Sequence, residues 1–420
     1  MRSHKKDKQG SPVAPRIALF GNFGVGNLGN NTTLEATLFH LRSLAPDAEI
    51  MCICTGTAAV ASKYGIRTVP INKVVVGPWT TRNPIARLAR KLLVGVPSEI
   101  YRWFCSFRTL HGVRVLIVPG TGLLNDAFGM MRDDGPYSVF RWSLAARLSG
   151  CKLLFLSVGA GPLYSRVGRF FVKSALVMAD YRSYRDVSTQ QYLQSIGFVK
   201  AGDRVYPDLV FSLSDRARED PSLRPVGRLV VGIGLMGYAG RYSIEKPDAA
   251  AYARYLEALA GFVEWILERG YDVRLLLGDS IDAKTATEFK QLLKARLTEY
   301  DDRRIIDEPV ESIEALLSQI AATDLVVATR FHNVLMSMVL DKPVLAISFH
   351  HKCSALMEAM GMPHYCVDIH SLTPQLLIER FYDLEKHDGA IRASISSKAA
   401  QYRAALDEQY RLAVACANHH

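Results

Sequence analysis

The chain has 420 residues, too many for one ordinary domain core and a suitable number for two. Apolar residues make up 49% and charged residues 22%, which excludes disorder for the bulk of the chain as well as collagen-like and coiled-coil architectures. The longest apolar stretches, at 115–124 and 153–163, fall short of the roughly 18–20 residues needed to cross a bilayer. Seven cysteines without metal-ligand spacing predict reduced thiols and a cytoplasmic location.

The net charge of +10 comes from two segments. Residues 1–16 contribute +4 and residues 82–114 contribute +6, whereas the rest of the chain is balanced. The first segment is polar and predicts a disordered basic tail over 1–15. No nucleic-acid-binding motif accompanies these charges, so we expect no nucleic acid as a partner.

Strand and helix patterns alternate from residue 16 onward. Short β-branched runs predict strands in the first half at 17–20, 50–54, 115–118, 153–158 and 181–184. Helical patterns between them lie at 32–44, 137–149, 167–179 and 187–196. This alternation is typical of a doubly wound parallel sheet with helices on both faces.

The alternation restarts after a charged stretch that contains two prolines. Predicted strands there lie at 229–233, 273–277, 304–306, 325–328 and 344–347, with helices between them. We predict an N-terminal α/β domain at 16–215, a linker at 216–227, a C-terminal α/β domain at 228–388 and a last helix within 389–420. That helix could pack back on the first domain. The expected fold class is α/β, with two Rossmann-like, GT-B-like domains that face a central cleft.

A glycine- and asparagine-rich turn follows the first predicted strand. It spans 21–31, and Gly24, Asn27, Gly29 and Asn30 are its candidate binding groups. Glycines let the backbone approach a ligand closely, and the helix N-terminus that follows can bind an anion or a sugar hydroxyl. The spacing matches neither the dinucleotide-binding fingerprint nor the P-loop. A binding site and a purely conformational turn both remain open.

The strongest candidate site is the pair Arg330 and His332, where the predicted strand at 325–328 ends and a helix begins. Ligands bind at this edge of parallel sheets. Arg330 can hold a phosphate or carboxylate through two hydrogen bonds. The helix dipole disfavours the imidazolium form of His332, which leaves the ring able to accept a proton. The alternative is an arginine–acid pair with a helix-capping histidine.

Two further cations are candidate ligands for an anion. Arg185 ends a predicted strand, and Lys352 lies in the turn after another. The alternatives are a salt bridge from Arg185 to Asp186 or Asp208 and a solvated Lys352.

A metal site is not expected. His350 and His351 are adjacent but lack a third ligand at a suitable spacing.

Several segments, in this order, resemble the polysaccharide pyruvyltransferase family. They are the turn at 21–31, PGTGLLND at 119–126, SVGAGPL at 157–163, SYRDVS at 183–188, YPD at 206–208, TRFH at 329–332 and PVLAISFHHK at 343–352. The resemblance implies transfer of pyruvate from phosphoenolpyruvate to a sugar diol of a cell-surface polysaccharide or its precursor. The products would be a cyclic ketal and phosphate, and no cofactor would be required. Members of the family often carry an acid where this chain has Asn30, which leaves the general base open.

The resemblance also distributes roles among the candidate residues. The phosphate and carboxylate of the donor would need two or more fixed cations, which Arg330, Arg185 and Lys352 could supply. Arg330 and His332 are the catalytic candidates, with His332 as the acid–base group. The acceptor would be held by the glycine-rich turn together with Gly122, Asn125, Asp126, Gly159 and Gly161.

The basic segment at 82–114 carries Ile85, Leu88 and Leu92 on one helical face, with most of its cations elsewhere. Two interpretations remain open. The segment is an insertion helix packed on the first domain, or it makes a peripheral contact with an anionic membrane at its inner face. The second would suit a lipid-linked saccharide acceptor.

Two other functions remain open because a fold does not fix an activity. A glycosyltransferase with a GT-B fold would bind a nucleotide sugar and need a carboxylate for the ribose. No glutamate after the Arg330 helix fits that role convincingly, and Glu358 is the one candidate. A non-catalytic polysaccharide-assembly protein would keep the same fold. Asn30 favours this last interpretation, whereas the pair Arg330 and His332 disfavours it.

Overall fold

The computed structural model describes residues 14–73, 83–127, 129–133, 135–216, 227–237, 249–278, 282–297, 301–310, 312–349 and 351–418. The predicted tail and linker fall almost wholly outside these residues, and so does His350.

The first half of the described chain alternates strands and helices. Its strands are β1 (Arg16–Gly21), β2 (Glu49–Cys54), β3 (Arg67–Pro70), β4 (Val115–Pro119), β5 (Lys152–Val158), β6 (Tyr181–Tyr184) and β7 (Arg204–Val205). Its helices are α1 (Leu28–Leu44), α2 (Thr57–Tyr64), α3 (Pro84–Arg90), α4 (Val96–Leu110), α5 (Pro136–Leu148), α6 (Arg166–Met178) and α7 (Val187–Ser195). A π-helical turn at Lys91–Gly95 joins α3 to α4. The strands form a parallel sheet in the order β3-β2-β1-β4-β5-β6-β7.

The second half repeats this arrangement after a 3-10 helix at Leu209–Arg216. Its strands are β8 (Val230–Leu235), β9 (Asp272–Leu277), β10 (Ile305–Ile306), β11 (Leu325–Ala328), β12 (Val344–Ser348) and β13 (Cys366–Asp368). Its helices are α8 (Ala249–Glu268), α9 (Asp282–Arg296), α10 (Ile313–Ala321), α11 (Phe331–Val339), α12 (His351–Ala359), α13 (Pro374–Lys386) and α14 (Asp388–Asn418). The strands form a second parallel sheet in the order β10-β9-β8-β11-β12-β13.

Both sheets reverse their strand order at one point, between β1 and β4 in the first and between β8 and β11 in the second. At such a point the connections leave toward opposite faces of the sheet, which opens a crevice beyond the carboxyl ends of the strands. The predicted fold class, two doubly wound α/β domains, is confirmed.

The two faces of the first sheet belong to different cores. Ile17 and Leu19 of β1 point into a core that continues through the second domain, whereas Ala18 and Phe20 point to the opposite face under α5 and α6. This follows from the two-residue period of side chains along a strand. The shared core holds the two domains against each other, which fixes the geometry of the crevice between them.

The last helix, α14, returns to the first domain. Its Gln409 is fully buried, accepts a hydrogen bond from Ser157 Oγ (3.1 Å) and donates one to Ser183 Oγ (2.6 Å). The ring of Tyr410 stacks on His40 of α1 with centroids 4.3 Å apart. A helix that follows the second domain in sequence therefore secures the carboxyl ends of β5 and β6.

We expect Gln409→Ala to lower the free energy of unfolding by about 1–3 kcal/mol, because the two serine hydroxyls would lose buried partners. Urea denaturation followed by circular dichroism measures the change. Glu408→Ala is the matched control, because its ion pair with Arg204 is exposed and should contribute less than about 1 kcal/mol. Equal stability of the two variants would show that Gln409 does not secure α14.

Candidate active site

The crevices of the two domains meet where α1 faces α11. Asn27 caps α1 by accepting a hydrogen bond from the Asn30 backbone N–H at 3.0 Å. His332 is the second residue of α11, directly after β11. Its ring lies against Gly29, and a Cβ atom at position 29 would overlap the ring. The missing side chain at Gly29 therefore allows a histidine of the second domain to reach the first turn of α1.

Arg185 brings a buried positive charge to the same place from the end of β6. Its side chain is 9% exposed, and its guanidinium lies 5.2 Å from the ring centroid of Phe331. Nη1 donates to Asp208 at 3.3 Å, and Nε lies 3.6 Å from an oxygen of Asp186. In the part of the chain that the structure describes, Nε and Nη2 have no hydrogen-bond partner. Because buried donors are normally satisfied, these two atoms are suited to an anion.

The Arg185 guanidinium packs against Gly159, where a side chain would leave too little room for it. A Cβ atom at position 159 would lie 2.8 Å from Nη2. Asp186, next to Arg185, caps α7 by accepting a hydrogen bond from the Thr189 backbone N–H at 2.6 Å. Burial alone would raise the pKa of Asp186, but the charge of Arg185 and hydrogen bonds from Ser188 and Thr189 lower it. Both predicted salt bridges of Arg185 are present, and they leave part of its hydrogen-bonding capacity unused.

Lys352 contributes a second, partly buried cation from the first turn of α12. Its Nζ would lie 3.4 Å from a Cβ atom built at Gly122, so it reaches across to the loop after β4. Burial and the nearby Arg185 charge lower the pKa of Lys352 to about 8, whereas Asp186 partly offsets them. Two like charges from different domains thus lie close enough for one to lower the pKa of the other, which favours a ligand with more than one negative charge.

His332 is uncharged at neutral pH in this environment. Burial lowers its pKa to about 3, and the charges of Arg185, Lys352 and Arg330 act in the same direction. A negatively charged ligand beside these cations would oppose their effect and raise the pKa of His332. The ring can therefore accept a proton most readily once an anion is bound.

Arg330 is placed differently from His332. Its guanidinium forms a two-point ion pair with Asp282 at the start of α9, with Nε 2.9 Å from Oδ2 and Nη2 bonded to Oδ1. Asp282 is fully buried, Arg330 is 8% exposed, and the arginine stem packs over Gly278 after β9. The arginine–acid pair that the sequence left open is present. Its charge still lowers the pKa of His332, but its Nε and Nη2 atoms are bonded to Asp282.

Two of the glycines predicted to contact the acceptor adopt backbone conformations that favour glycine. Gly24 has φ +78°, and a Cβ there would overlap the carbonyl of Gly56. Gly161 has φ +90°, and a Cβ there would lie 2.7 Å from the ring of Tyr192. Both positions lie in the left-handed region that favours glycine. Their assignment to the acceptor stays a prediction.

Three polar candidates hold their own loops. Asn30 donates from Nδ2 to the carbonyl of Asn22 at 3.1 Å. Asn125 donates to the carbonyl of Gly122. Asp126 accepts hydrogen bonds from two consecutive backbone N–H groups, at Tyr164 and Ser165, both at 2.8 Å. These bonds shape the loops after β1, β4 and β5, and contact with an acceptor stays a prediction for each residue.

Sequence reasoning missed three residues that shape the site. Asp282 fixes Arg330, and Phe331 presents its ring to Arg185. Asn333 is fully buried, donates to the Leu276 carbonyl at 3.1 Å, and has an Oδ1 atom without a partner in the described ranges. The available signal was an asparagine inside an otherwise apolar helix. The described ranges contain no group of three or more His, Cys, Asp or Glu side chains that could hold a metal ion.

The depressed pKa of His332 can be tested directly. We expect the ring signals of His332 in NMR spectra of the free protein to show no titration between pH 5 and pH 8, because its pKa of about 3 lies below this window. Lys352→Gln should raise the pKa of His332 because it removes a neighbouring positive charge. A midpoint near 6.5 for His332 would contradict the described environment.

Comparison with known proteins agrees with this architecture. Residues 27–351 match the family model described as polysaccharide pyruvyl transferase. The chain is 25% identical over 387 residues to the amylovoran biosynthesis protein AmsJ of Erwinia amylovora, covering 87% of this chain and 91% of that protein.

Solved structures with the same fold share little sequence with this chain. A glycosyltransferase from Rickettsia africae has a TM-score of 0.56 at 13% identity and covers 96% of this chain and 99% of its own. The UDP-GlcNAc 2-epimerase of Neisseria meningitidis, solved with UDP-GlcNAc bound, has a TM-score of 0.58 at 10% identity. The match covers 95% of this chain and 99% of the epimerase chain. These likenesses support the two-domain GT-B fold alone. The family model spans most of the chain, so the chain belongs to the polysaccharide pyruvyl transferase family, whose members are transferases that act on a polysaccharide acceptor.

Proposed function

We propose that this protein transfers pyruvate from phosphoenolpyruvate to two hydroxyls of a sugar in a cell-surface polysaccharide or its precursor. The observation that carries the proposal is the buried Arg185, whose Nε and Nη2 lack partners in the described ranges while Lys352 lies close by. Phosphoenolpyruvate carries a phosphate and a carboxylate on three carbons. A compact anion of that kind matches two cations held close to each other.

The donor would bind between the two domains. Arg185 offers the parallel donors Nε and Nη2, a geometry that suits a phosphate or a carboxylate. Lys352 supplies a point charge from the other domain, against the loop that contains Gly122. Binding an anion at both groups would draw the first and second domains onto the same ligand. No cofactor or metal enters this scheme.

His332 is the group that we infer to move protons. The terminal carbon of the enol gains a proton while a sugar hydroxyl adds to the internal carbon. A second hydroxyl then adds to the same carbon and phosphate leaves, so one hydroxyl proton ends on the new methyl group and the other on phosphate. A neutral imidazole can accept a hydroxyl proton and pass it on. Such acid–base catalysis accounts for about 10²–10⁴-fold in rate.

The donor itself would prepare His332 for this task. Its negative charges would oppose the influence of Arg185 and Lys352, which together with burial hold the pKa of the ring low. A histidine whose pKa rises on donor binding accepts protons only when the donor is present. With His332 in this role, the reaction needs no acid at position 30, where family members often carry one. This chain has Asn30 there, and its amide is hydrogen-bonded to the carbonyl of Asn22.

Arg330 has a positioning role in this proposal. Its ion pair with Asp282 joins the ends of β9 and β11, which carry the loops on the donor side. Its positive charge helps to lower the pKa of His332, while its Nε and Nη2 atoms stay bonded to Asp282 and do not contact the donor. The acceptor would lie on the first domain, along the loops after β1, β4 and β5.

A nucleotide sugar fits the described residues less well. Glu358, the carboxylate that such a donor would need for its ribose, is exposed and lies six residues along α12 from Lys352. The buried cations have no comparable carboxylate from α12 beside them. We therefore take phosphoenolpyruvate as the donor.

We expect phosphoenolpyruvate to bind the wild-type protein in isothermal titration calorimetry, and Arg185→Gln to weaken that binding by about 10- to 100-fold. Each charge-assisted hydrogen bond to an anion contributes about 1.5–3 kcal/mol, which corresponds to this range. Arg204→Gln is the matched control, since Arg204 is exposed and should leave binding unchanged. Phosphate release with a panel of methyl glycosides that contain free diols then tests transfer.

Three results would contradict the proposal. Binding of UDP-GlcNAc but not phosphoenolpyruvate would indicate a glycosyltransferase. Binding of neither would favour a non-catalytic assembly protein. Equal binding by the wild type and Arg185→Gln would place the donor elsewhere in the molecule.

The pKa of Lys352 predicts a pH dependence. Because the Lys352 ammonium loses its proton near pH 8 before the donor binds, the affinity for phosphoenolpyruvate should fall as the pH rises above about 8. Lys352→Arg should remove this alkaline decline, because a guanidinium stays protonated throughout. Titrations at pH 7, 8 and 9 measure the effect. An identical decline in both proteins would exclude Lys352 as its cause.

A further inference from the structure

The helix over 84–110 is longer than the part of the domain that supports it. The helix α3, the π-helical turn and α4 have seven, five and fifteen residues, which corresponds to about 40 Å at 1.5 Å per residue. The supporting helix α5 has thirteen residues and a length of about 20 Å. The contacts to α5 come from α4, where Trp103 donates to Tyr137 at 3.1 Å and Glu99 accepts from Tyr137 at 2.6 Å. The first half of the helix extends beyond this support.

This first half, residues 84–97, is here named the basic apolar arm. None of its side chains that the structure describes is buried. Ile85 (77%), Leu88 (59%), Leu92 (58%) and Val96 (48%) nevertheless follow one another at three- or four-residue spacing and remain exposed. Leu93, next to Leu92, is 76% exposed. A stripe of this kind marks a surface that is covered by a partner.

The charge of the basic apolar arm indicates which partner covers it. The arm contains Arg87, Arg90 and Lys91 and no acidic residue. Lys91 is exposed beside the apolar stripe. Basic residues next to exposed leucines and isoleucines are the combination that binds an anionic lipid surface. A second copy of the chain would bring the same positive charges together, which disfavours self-association through this surface.

Helix α6 carries further exposed apolar and basic side chains over the same face of the first sheet. Leu110 of α4, Val139 of α5 and Val172 of α6 belong to one core cluster, so the three helices cover the same face of the first sheet. On α6, Phe170 and Val177 are 60% and 57% exposed. They border a groove of about 600 Å³ that is also lined by Arg166, Arg169 and Lys173. Apolar and basic side chains thus recur on the face turned away from the second domain.

The basic apolar arm begins on the side of the molecule that carries the site. Helices in parallel α/β units run opposite to their strands, so α3 starts near the carboxyl ends of the sheet. Asn72, in the connection that leads to α3, donates to Asp133 in the loop after β4 at 2.6 Å. That loop contains Gly122, which faces Lys352.

We propose that the basic apolar arm, together with the exposed face of α6, docks the protein on an anionic phospholipid bilayer. Among the described helices, none combines the length and the apolar content that a bilayer-spanning segment requires, so the contact is peripheral. If the proposed transfer reaction is correct, which this consequence requires, the crevice would face an acceptor sugar carried on a membrane lipid. Binding to the bilayer does not depend on that reaction.

Co-sedimentation of the full chain with vesicles tests this inference. We expect binding to vesicles of equal parts phosphatidylcholine and phosphatidylglycerol, and much weaker binding to pure phosphatidylcholine or at high salt. The triple variant Leu88→Gln, Leu92→Gln, Leu93→Gln should lose about tenfold or more in vesicle affinity. Glutamine is a good helix former, so the helix should persist, and circular dichroism verifies this.

The matched control is Val199→Gln with Leu412→Gln, which changes exposed apolar residues outside this surface and should bind vesicles like the wild type. Three outcomes would overturn the inference: no sedimentation with anionic vesicles, equal sedimentation of the triple variant and the wild type, or a dimer in solution that the triple variant abolishes. The last would identify a second copy of the chain as the partner. Phosphoenolpyruvate binding by the triple variant reports separately on the proposed reaction.

Discussion

Repulsion between two neighbouring cations is the constraint on which the candidate site depends. Arg185 and Lys352 come from different domains, and both are partly shielded from the water that would otherwise compensate their charges. Asp208 and Asp186 offset this repulsion only in part, because Arg185 still lowers the pKa of Lys352. An arrangement of this kind is costly in a free protein and becomes favourable when an anion binds. The site therefore favours the binding of a ligand with more than one negative charge.

The shared core makes this arrangement possible. Because the apolar cluster runs from β1 through the second domain, the crevices of the two sheets are held face to face. Glycines leave room for the side chains that meet there, because a Cβ atom at these positions would crowd them. Gly29 admits the ring of His332, Gly159 admits the Arg185 guanidinium, and Gly122 faces Lys352. The glycine-rich loops thus serve the cations and the histidine as well as any acceptor.

The sequence predicted the fold well because buried parallel strands produce short apolar runs that alternate with helices. It did not predict α2 or β3, where the runs are short and partly exposed. It identified Arg185, Arg330, His332 and Lys352 as candidates and left open a pairing of Arg330 with an acid, but it did not name Asp282 as that acid. The pairing of Arg330 with Asp282 joins residues 48 positions apart. No local pattern carries that information, because the contact depends on how β9 and β11 lie in the sheet.

The donor anion should lie between the two domains and contact Arg185 and Lys352. A crystal structure with phosphoenolpyruvate bound decides whether it does. We expect oxygen atoms of the donor within hydrogen-bond distance of Arg185 Nε or Nη2 and of Lys352 Nζ, with the imidazole of His332 beside the enol carbons. A donor bound elsewhere, with these cations unchanged, would contradict this expectation.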